Sequence, residues 1–187
     1  MITYTTATTD QDLQGILDLQ KVNLANNLTD DEIKSEGFVT VVHSYDVLKS
    51  LNDIENHVIA KDGSKVIAYL LAMTAESRHA IPILYSLFDA FEKVVFAGKP
   101  ISNYRYILVG QVCVAKGYRG KGILDNAYSC YRKQFETKYD FAVTEIASSN
   151  KRSINAHKRI GFREIFSYHD PNAEWEIVLW DWNNKTT

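Results

Sequence analysis

The residues that could do chemistry in this chain gather in two short runs. The first is Arg119-Gly120-Lys121-Gly122-Ile123, which follows an apolar run, Ile107 to Val114, and a turn, Ala115-Lys116-Gly117-Tyr118. The second starts at Asn150, continues through Ser153 and His157, and ends in Ile160-Gly161-Phe162. The first run reads as strand, glycine turn, helix. Glycine lets a backbone turn tightly and brings its N–H groups close to a ligand. The start of a helix leaves N–H groups unpaired and carries a partial positive charge. Together these features make a cradle for phosphate, and Arg119 and Lys121 add charge to it. Any strand-to-helix turn can use glycine, so the loop alone does not fix the ligand. It is not a P-loop, because no Gly-Lys-Ser/Thr follows four spacer residues. It is not a dinucleotide fingerprint, because the third glycine is missing.

Taken together, the two runs resemble the motifs of the GNAT superfamily of acyl-CoA-dependent N-acetyltransferases. Arg119, Gly122 and Leu124 fall on that family's Arg/Gln-x-x-Gly-x-Gly/Ala motif. Asn150, Ser153, His157, Gly161 and Phe162 fall on its second motif, Asn-x-x-Ala/Ser with Tyr or His further on and Gly-Phe at the end. Two positions depart from the pattern. Leu124 stands where the family usually has Gly or Ala, followed by Asp125, which suits a helix N-terminus but repels phosphate. His157 stands where many members carry tyrosine.

The resemblance implies a cofactor, a reaction and a set of roles. Acetyl-CoA is the co-substrate, with no metal, and an amine attacks its thioester directly. In that fold two central strands splay around the pantetheine arm; here they would end at Val114 and Ala147. Backbone N–H groups at Cys113 and Val114 would bond the cofactor and polarise the acetyl carbonyl. The loop Arg119, Gly120, Lys121, Gly122, Ile123 and Leu124 would hold the pyrophosphate. Asn150 would bond the cofactor amides, or cap its helix, or both. His157 is the expected general acid for the departing thiolate, against a histidine packed between helix and sheet. Glu76 and Glu145 are candidate bases, each weighed against a solvated surface carboxylate. Gln111 stands where some members carry a carboxylate and cannot serve as one. The expected activity is an N-acetyltransferase for a primary amine, on a small molecule or a protein N-terminus. The alternative is a non-catalytic acyl-CoA-binding or regulatory domain on the same fold.

The acceptor sets the demand for a base. A lysine-like amine of pKa about 10.4 is neutral roughly once in 2,500 molecules at pH 7, at a cost of about 4.6 kcal/mol. An α-amine near pKa 7.7 costs only about 1 kcal/mol.

The elements that position these residues can be read along the chain. Ile2 to Ala7 alternates as a first strand. Thr9 or Asp10 can cap a helix bearing Leu13, Ile16, Leu17 and Leu24, which the polar Asn26-Asn27 ends. Thr29 to Glu36 is acidic and reads as a loop, and 38–42 as a short extended segment. Ser44 begins a helix with Val47, Leu48, Leu51 and Ile54 on one face. Two strands, 57–61 and 65–73, are joined by Asp62-Gly63, a hairpin signal. Pro82 opens a helix whose apolar face runs to Val95, closed by Gly98-Lys99-Pro100. The family that the chain resembles often joins the two strands on either side by a short connection, so the resemblance implies that residues 77–100 are a helical insertion that covers core, walls the acceptor pocket or forms a subunit contact. After the glycine loop come a helix over 124–137, a strand over 141–147, and a closing strand pair over 162–168 and 174–182. A polar tail follows. The expectation is one α/β domain over 1–187 with a mixed central sheet of about seven strands flanked by helices.

Composition sets the remaining bounds. The 187 residues fit one domain with a full core. A formal net charge of -2 argues against a nucleic-acid footprint. The two cysteines, Cys113 and Cys130, form neither a Cys-x-x-Cys pair nor a zinc spacing, so a reduced, cytoplasmic context is expected, with both packed in core. The N-terminus shows no signal-peptide pattern and no segment is long and apolar enough for a bilayer. A homodimer is compatible with this composition. His43, His57, His79 and His169 have no motif around them and read as structural.

Overall fold

The structure is a computed structural model that describes residues 1–24, 39, 41–171 and 173–183. The acidic loop Thr29 to Glu36, residues 38 and 40 of the 38–42 segment and most of the polar tail lie outside the described residues, while the first helix ends at Val22 with Asn23 as its cap, earlier than the expected Asn26-Asn27, and Leu24 pairs with Val39 in an isolated bridge instead. The chain runs β1 (Ile2–Thr6), α1 (Asp10–Val22), α2 (Tyr45–Ile54), β2 (Val58–Asp62) and β3 (Lys65–Met73). Two 3-10 turns, Ala75–His79 and Pro82–Leu84, lead into α3 (Tyr85–Phe91). Then come β4 (Val95–Phe96), β5 (Lys99–Pro100), β6 (Tyr106–Val114), α4 (Ile123–Phe135), β7 (Phe141–Ala147), α5 (Lys151–Ile160), β8 (Arg163–His169) and β9 (Glu174–Asp181). Seven strands form one mixed sheet in the order β1-β2-β3-β6-β7-β9-β8, and β4 with β5 forms a separate two-stranded ribbon. The β6–β7 pair is parallel, with Tyr106–Leu108 against Phe141–Val143. The pairs β1–β2, β2–β3, β7–β9 and β8–β9 are antiparallel.

The chain divides into two compact units. The first is Met1–Ala72 with Val109–Lys133; the second is Met73–Leu108 with Gln134–Thr187. In the first unit, Thr9 caps α1 with a full capping box: its hydroxyl accepts from Asp12 N while the Asp12 carboxylate accepts from Thr9 N. Burial opposes ionisation of Asp12, yet its bonds from Lys61, Thr9 and Thr8 hold its pKa below the usual carboxylate value. The Lys61 Nζ–Asp12 Oδ1 contact of 2.7 Å pins the start of α1 to β2. Ser44 caps α2 through its hydroxyl and Val47 N. Gly63 takes φ +60 in the β2–β3 hairpin, the left-handed geometry that favours glycine. Leu13, Ile16, Leu48, Ile59, Val66, Tyr69, Leu71 and Cys113 build one apolar core cluster.

Beneath α1 lies a buried polar knot. Gln111 Oε1 accepts from Gln20 Nε2 at 2.8 Å and from the Tyr69 hydroxyl at 2.6 Å. Gln111 Nε2 donates to Val41 O at 2.9 Å. Gln20 Nε2 also donates to His43 Nδ1, and Gln20 Oε1 accepts from His43 N. Gln111 is thus a structural hub, which accounts for an amide at a position where a carboxylate was conceivable.

In the second unit, the region before β6 differs from the expected single long helix. α3 spans only Tyr85–Phe91, and Ala97 (φ +45) and Gly98 (φ +91) turn the chain into the β4–β5 ribbon. Two consecutive positive-φ residues make a tight hairpin turn, which a continuing helix cannot accommodate. Val95 consequently lies on the ribbon, 62% exposed. The apolar residues still cover core: Leu87, Phe88 and Phe91 are buried, and Phe91 meets Tyr106 edge-on at 5.1 Å. Phe96 and Tyr104 pack on Phe141 at 5.5 and 5.1 Å. Among the described residues, no helix is long and apolar enough to cross a membrane.

Replacing Gln111 by Leu should cost on the order of 3 kcal/mol, because the buried Gln20 amide, Tyr69 hydroxyl and Val41 carbonyl each lose a partner. The urea midpoint of the purified variant measures this. An unchanged midpoint would show that the knot adds nothing to stability.

Candidate active site

The glycine loop lies in the first unit, between the end of β6 and the start of α4. Gly120 has φ +72 and Gly122 has φ +73, so both sit in the left-handed region. A Cβ on Gly120 would meet nothing within 4 Å, and one on Gly122 only Asn126 Nδ2 at 3.8 Å. Backbone conformation, not space, therefore demands glycine here. Gly120, Lys121 and Gly122 are exposed, while Ile123 is buried against Ala60, Ile67 and Ala68. Ile123 is thus the apolar anchor of the loop, and Leu124 is half-buried.

The two cations of the loop are engaged with the protein. Arg119 Nε donates to Val114 O at 2.8 Å, and one of its terminal nitrogens donates to Asn23 Oδ1 at 2.6 Å. Lys121 Nζ donates to Gly117 O at 2.8 Å. Tyr118 adds a hydroxyl bond to Asp62 at 2.8 Å. Arg119 thereby joins the end of β6 to the C-terminal cap of α1. Burial pushes the Cys113 thiol up to about 12, opposed by the neighbouring Arg119, so the sulfur is inert and belongs to the core. Val114 faces the other side of β6, beside Ile123 and Tyr118.

The remaining site residues lie in the second unit. Asn150 caps α5, its Oδ1 accepting from Ser153 N at 3.1 Å. Gly161 closes α5 with φ +119, and a Cβ there would fall 2.8 Å from Trp180 Nε1. Phe162 is buried beside Trp180, with ring centroids 5.6 Å apart. These motif residues therefore shape the end of a helix. His157 is 3% exposed, and its ring meets Phe162 edge-on at 5.1 Å. Its Nδ1 lies 2.8 Å from Ser153 O, which assigns the proton to Nδ1. Burial holds its pKa down to about 4, against the small upward pull of that bond.

Of the two carboxylates weighed from sequence, Glu76 is exposed. Glu145 is half-buried, and burial pushes its pKa up to about 7 despite the hydrogen bond it accepts from Tyr168. Sequence reasoning missed Tyr168 altogether. The two residues are 23 apart in the chain, on strands separated by β9, and no local pattern links them. Among the described residues, no cluster of His, Cys, Asp and Glu could hold a metal ion.

These environments fix a pH dependence. Burial lowers His43 to about 4 and His57 to about 3. His57 donates Nε2–H to Leu48 O and accepts at Nδ1 from Ala72 N, so a second proton would break a bond. The unfolded chain binds protons on His43, His57 and His157 below about pH 6.5, the folded chain only near 4 or lower, so the stability they contribute is lost as pH falls. Glu145 has the opposite sign, since its folded value lies above the ordinary 4.5: its contribution is present below 4.5 and lost as pH rises through about 7. Between about pH 7 and about pH 5.5 the three histidines together cost more than Glu145 returns, a net loss on the order of 2 kcal/mol. Urea midpoints at the two pH values check this; a higher midpoint at the acid value contradicts it.

No protein-family model matches the chain, and no curated protein matches it by sequence. Solved structures do match. A GNAT-family acetyltransferase from Streptococcus agalactiae superposes with a TM-score of 0.66 at 11% identity, covering 96% of this chain and 95% of that one. The ribosomal-protein-S18-alanine N-acetyltransferase of Escherichia coli gives 0.61 at 13% identity, over 97% of this chain and 94% of the other. A chain of the NatC complex bound to Gag peptide and CoA gives 0.64 at 14% identity, over 96% and 98%. The likeness runs along nearly the whole of each chain, and by it this protein has the fold of the GNAT N-acetyltransferases.

Proposed function

We propose that the chain is an acetyl-CoA-dependent N-acetyltransferase that acts on a primary amine. The observation that carries this reading is the exposed turn Gly120–Gly122, two left-handed glycines leading into the first turn of α4. Such a turn aims backbone N–H groups and a helix N-terminus at an anion. The residues present fit a pyrophosphate: the loop is exposed and both of its glycines lie in the left-handed region. Gly120, Lys121, Gly122 and Leu124 would hold it, with Ile123 contributing its backbone only, since its side chain is buried. Arg119 fixes the loop's shape through Val114 and Asn23. Structures with this fold include one bound to CoA and a peptide, and one named for acetylating an alanine, which supports acetyl-CoA and an amine as the two substrates. Cys113 and Val114 end the strand beside the loop and would offer the thioester their backbone N–H groups.

His157 reads better as a packed histidine than as the acid. With a pKa near 4 its cationic form is about a thousandth of the population at pH 7, at a cost of about 4 kcal/mol. The leaving thiolate then takes its proton from elsewhere. A non-catalytic acyl-CoA-binding domain remains the rival reading. It is separated by turnover of thioester with amines.

Purified protein should bind acetyl-CoA in calorimetry and release CoA when supplied with an amine. Gly122→Val should weaken that binding by a few kcal/mol, because several charge-assisted bonds of about 1.5–3 kcal/mol are disturbed. Unchanged affinity in a folded Gly122→Val protein would refute the loop assignment. Binding without turnover of any amine would favour the rival. His157→Phe should lose on the order of 1 kcal/mol of stability, since the buried ring N–H bond to Ser153 O is removed, with turnover per folded molecule within a few-fold. A loss on the order of 10²-fold in a folded variant would return His157 to the acid role.

A further inference from the structure

Among the described residues, β8 pairs on one side only, with β9, so it is an edge of the seven-stranded sheet. The outer side of an edge strand presents backbone N–H and C=O groups without a ladder. Proteins that stay monomeric guard such an edge with lysine, with proline or by keeping the strand very short. β8 runs for 7 residues, Arg-Glu-Ile-Phe-Ser-Tyr-His, with neither lysine nor proline. Arg163, Glu164, Ser167 and His169 are exposed, and the large apolar Phe166 is 43% exposed. The opposite edge, β1, has 5 residues, Ile-Thr-Tyr-Thr-Thr, and no charge that could select a partner strand.

A bulge decides which residues of β8 share a face. Its register against β9 shifts between Glu164 and Phe166. Glu164 opposes Val178 and Phe166 opposes Ile177, so Ile165 and Phe166 together fill one position of the ladder. Opposed residues share a face, and successive positions alternate. Arg163, Phe166 and Tyr168 therefore lie on the face of Leu179, Ile177 and Trp175. Glu164, Ser167 and His169 lie on the face of Val178, Glu176 and Glu174. Asp170 follows the strand, and its N–H still bonds across the hairpin to Ala173 O. Alternation puts it on the face of Arg163.

We propose that β8 pairs with β8 of a second copy of this chain, antiparallel about a two-fold axis at Ser167. This inference does not depend on the N-acetyltransferase reading. In that register Phe166 lies opposite the partner's Tyr168, Glu164 opposite the partner's His169, and Arg163 opposite the partner's Asp170. Both residues of each pair lie on one face, as an antiparallel ladder requires. The carboxylate of Glu164 meets an imidazole, which has an N–H to donate in either protonation state. Arg163 meets a carboxylate. A strand without the bulge would not be self-complementary: its two-fold registers set Arg163 opposite His169 or Glu164 opposite Asp170. Two carboxylates directly opposite each other destabilise a ladder. The bulge, elsewhere a guard against edge pairing, here brings opposite charges into register. Arg163 is already held by the Phe96 ring at 5.2 Å and by Asp181 at 3.7 Å. Glu164 with His169 is thus the pair to alter with least disturbance of the second unit.

The test is sedimentation velocity of the full chain from micromolar to submillimolar protein. The parent should pass reversibly from monomer to dimer. Glu164→Arg sets a cation opposite the partner's His169 at two symmetric places and should raise the dimer dissociation constant by roughly 10-fold. Adding His169→Glu restores opposite charges in the same register and should bring the dimer back. A general loss of folding in Glu164→Arg would not be reversed by that second change. Ser167→Cys puts two thiols at the two-fold axis, where opposed Cα atoms lie about 4.5–5.5 Å apart, within reach of a disulfide. Diamide should link this variant into a reducible covalent dimer. The parent, with Cys113 buried and Cys130 half-buried, should stay unlinked under the same treatment. A parent that is monomeric at every concentration overturns the proposal. So does a dimer that Glu164→Arg leaves unchanged, or one that Ser167→Cys fails to link, because it then forms through another surface or register.

Discussion

The first unit depends on one buried side-chain amide. Gln111 sits in the middle of β6 and offers one oxygen and one nitrogen to three elements: Gln20 of α1, Tyr69 of β3 and the carbonyl of Val41 before α2. Away from water, each of these groups is costly if left unpaired and strongly held if paired. The knot therefore admits one placement of α1 over the sheet. It also explains why His43 is neutral, since its Nδ1 must accept from Gln20 rather than carry a proton. A carboxylate in place of Gln111 would lose the donor to Val41 and bury a charge.

That placement of α1 carries through to the glycine loop. Asn23, at the C-terminal cap of α1, meets the Arg119 guanidinium, which in turn meets the last carbonyl of β6. Ile123 closes the loop from below. Gly120 and Gly122 take their left-handed backbone directly after Arg119. Arg119 matters in this arrangement as a strut more than as a charge.

The second unit uses burial in two opposite ways. His157 is enclosed by α5 and Phe162 and is kept neutral. Glu145 is only half-enclosed, and its carboxyl is raised into the neutral range by desolvation and Asp170. Burial always disfavours the charged form, so it moves an imidazole away from pH 7 and a carboxyl toward it. Burial thus makes His157 harder to protonate and Glu145 easier.

The sequence alone determined whatever depends on near neighbours. Thr9, Ser44 and Asn150 cap helices because a side-chain oxygen reaches an N–H three residues on. Asp62-Gly63 turns a hairpin and Gly161 ends α5, because positive φ favours glycine. Apolar periodicity located the strands of the sheet, and two glycine-bearing motifs located the loop and the helix cap. Tertiary structure decided everything that joins distant residues. The Gln20–Gln111 bond spans 91 residues, Arg119–Asn23 spans 96 and Tyr168–Glu145 spans 23 across an intervening strand. It also decided that Ala97-Gly98 would break the helix expected to run to Val95, since the ribbon there packs Phe96 on Phe141. Whether a histidine or a glutamate titrates near neutrality depends on the water excluded around it, and that is a property of packing which no residue spacing records.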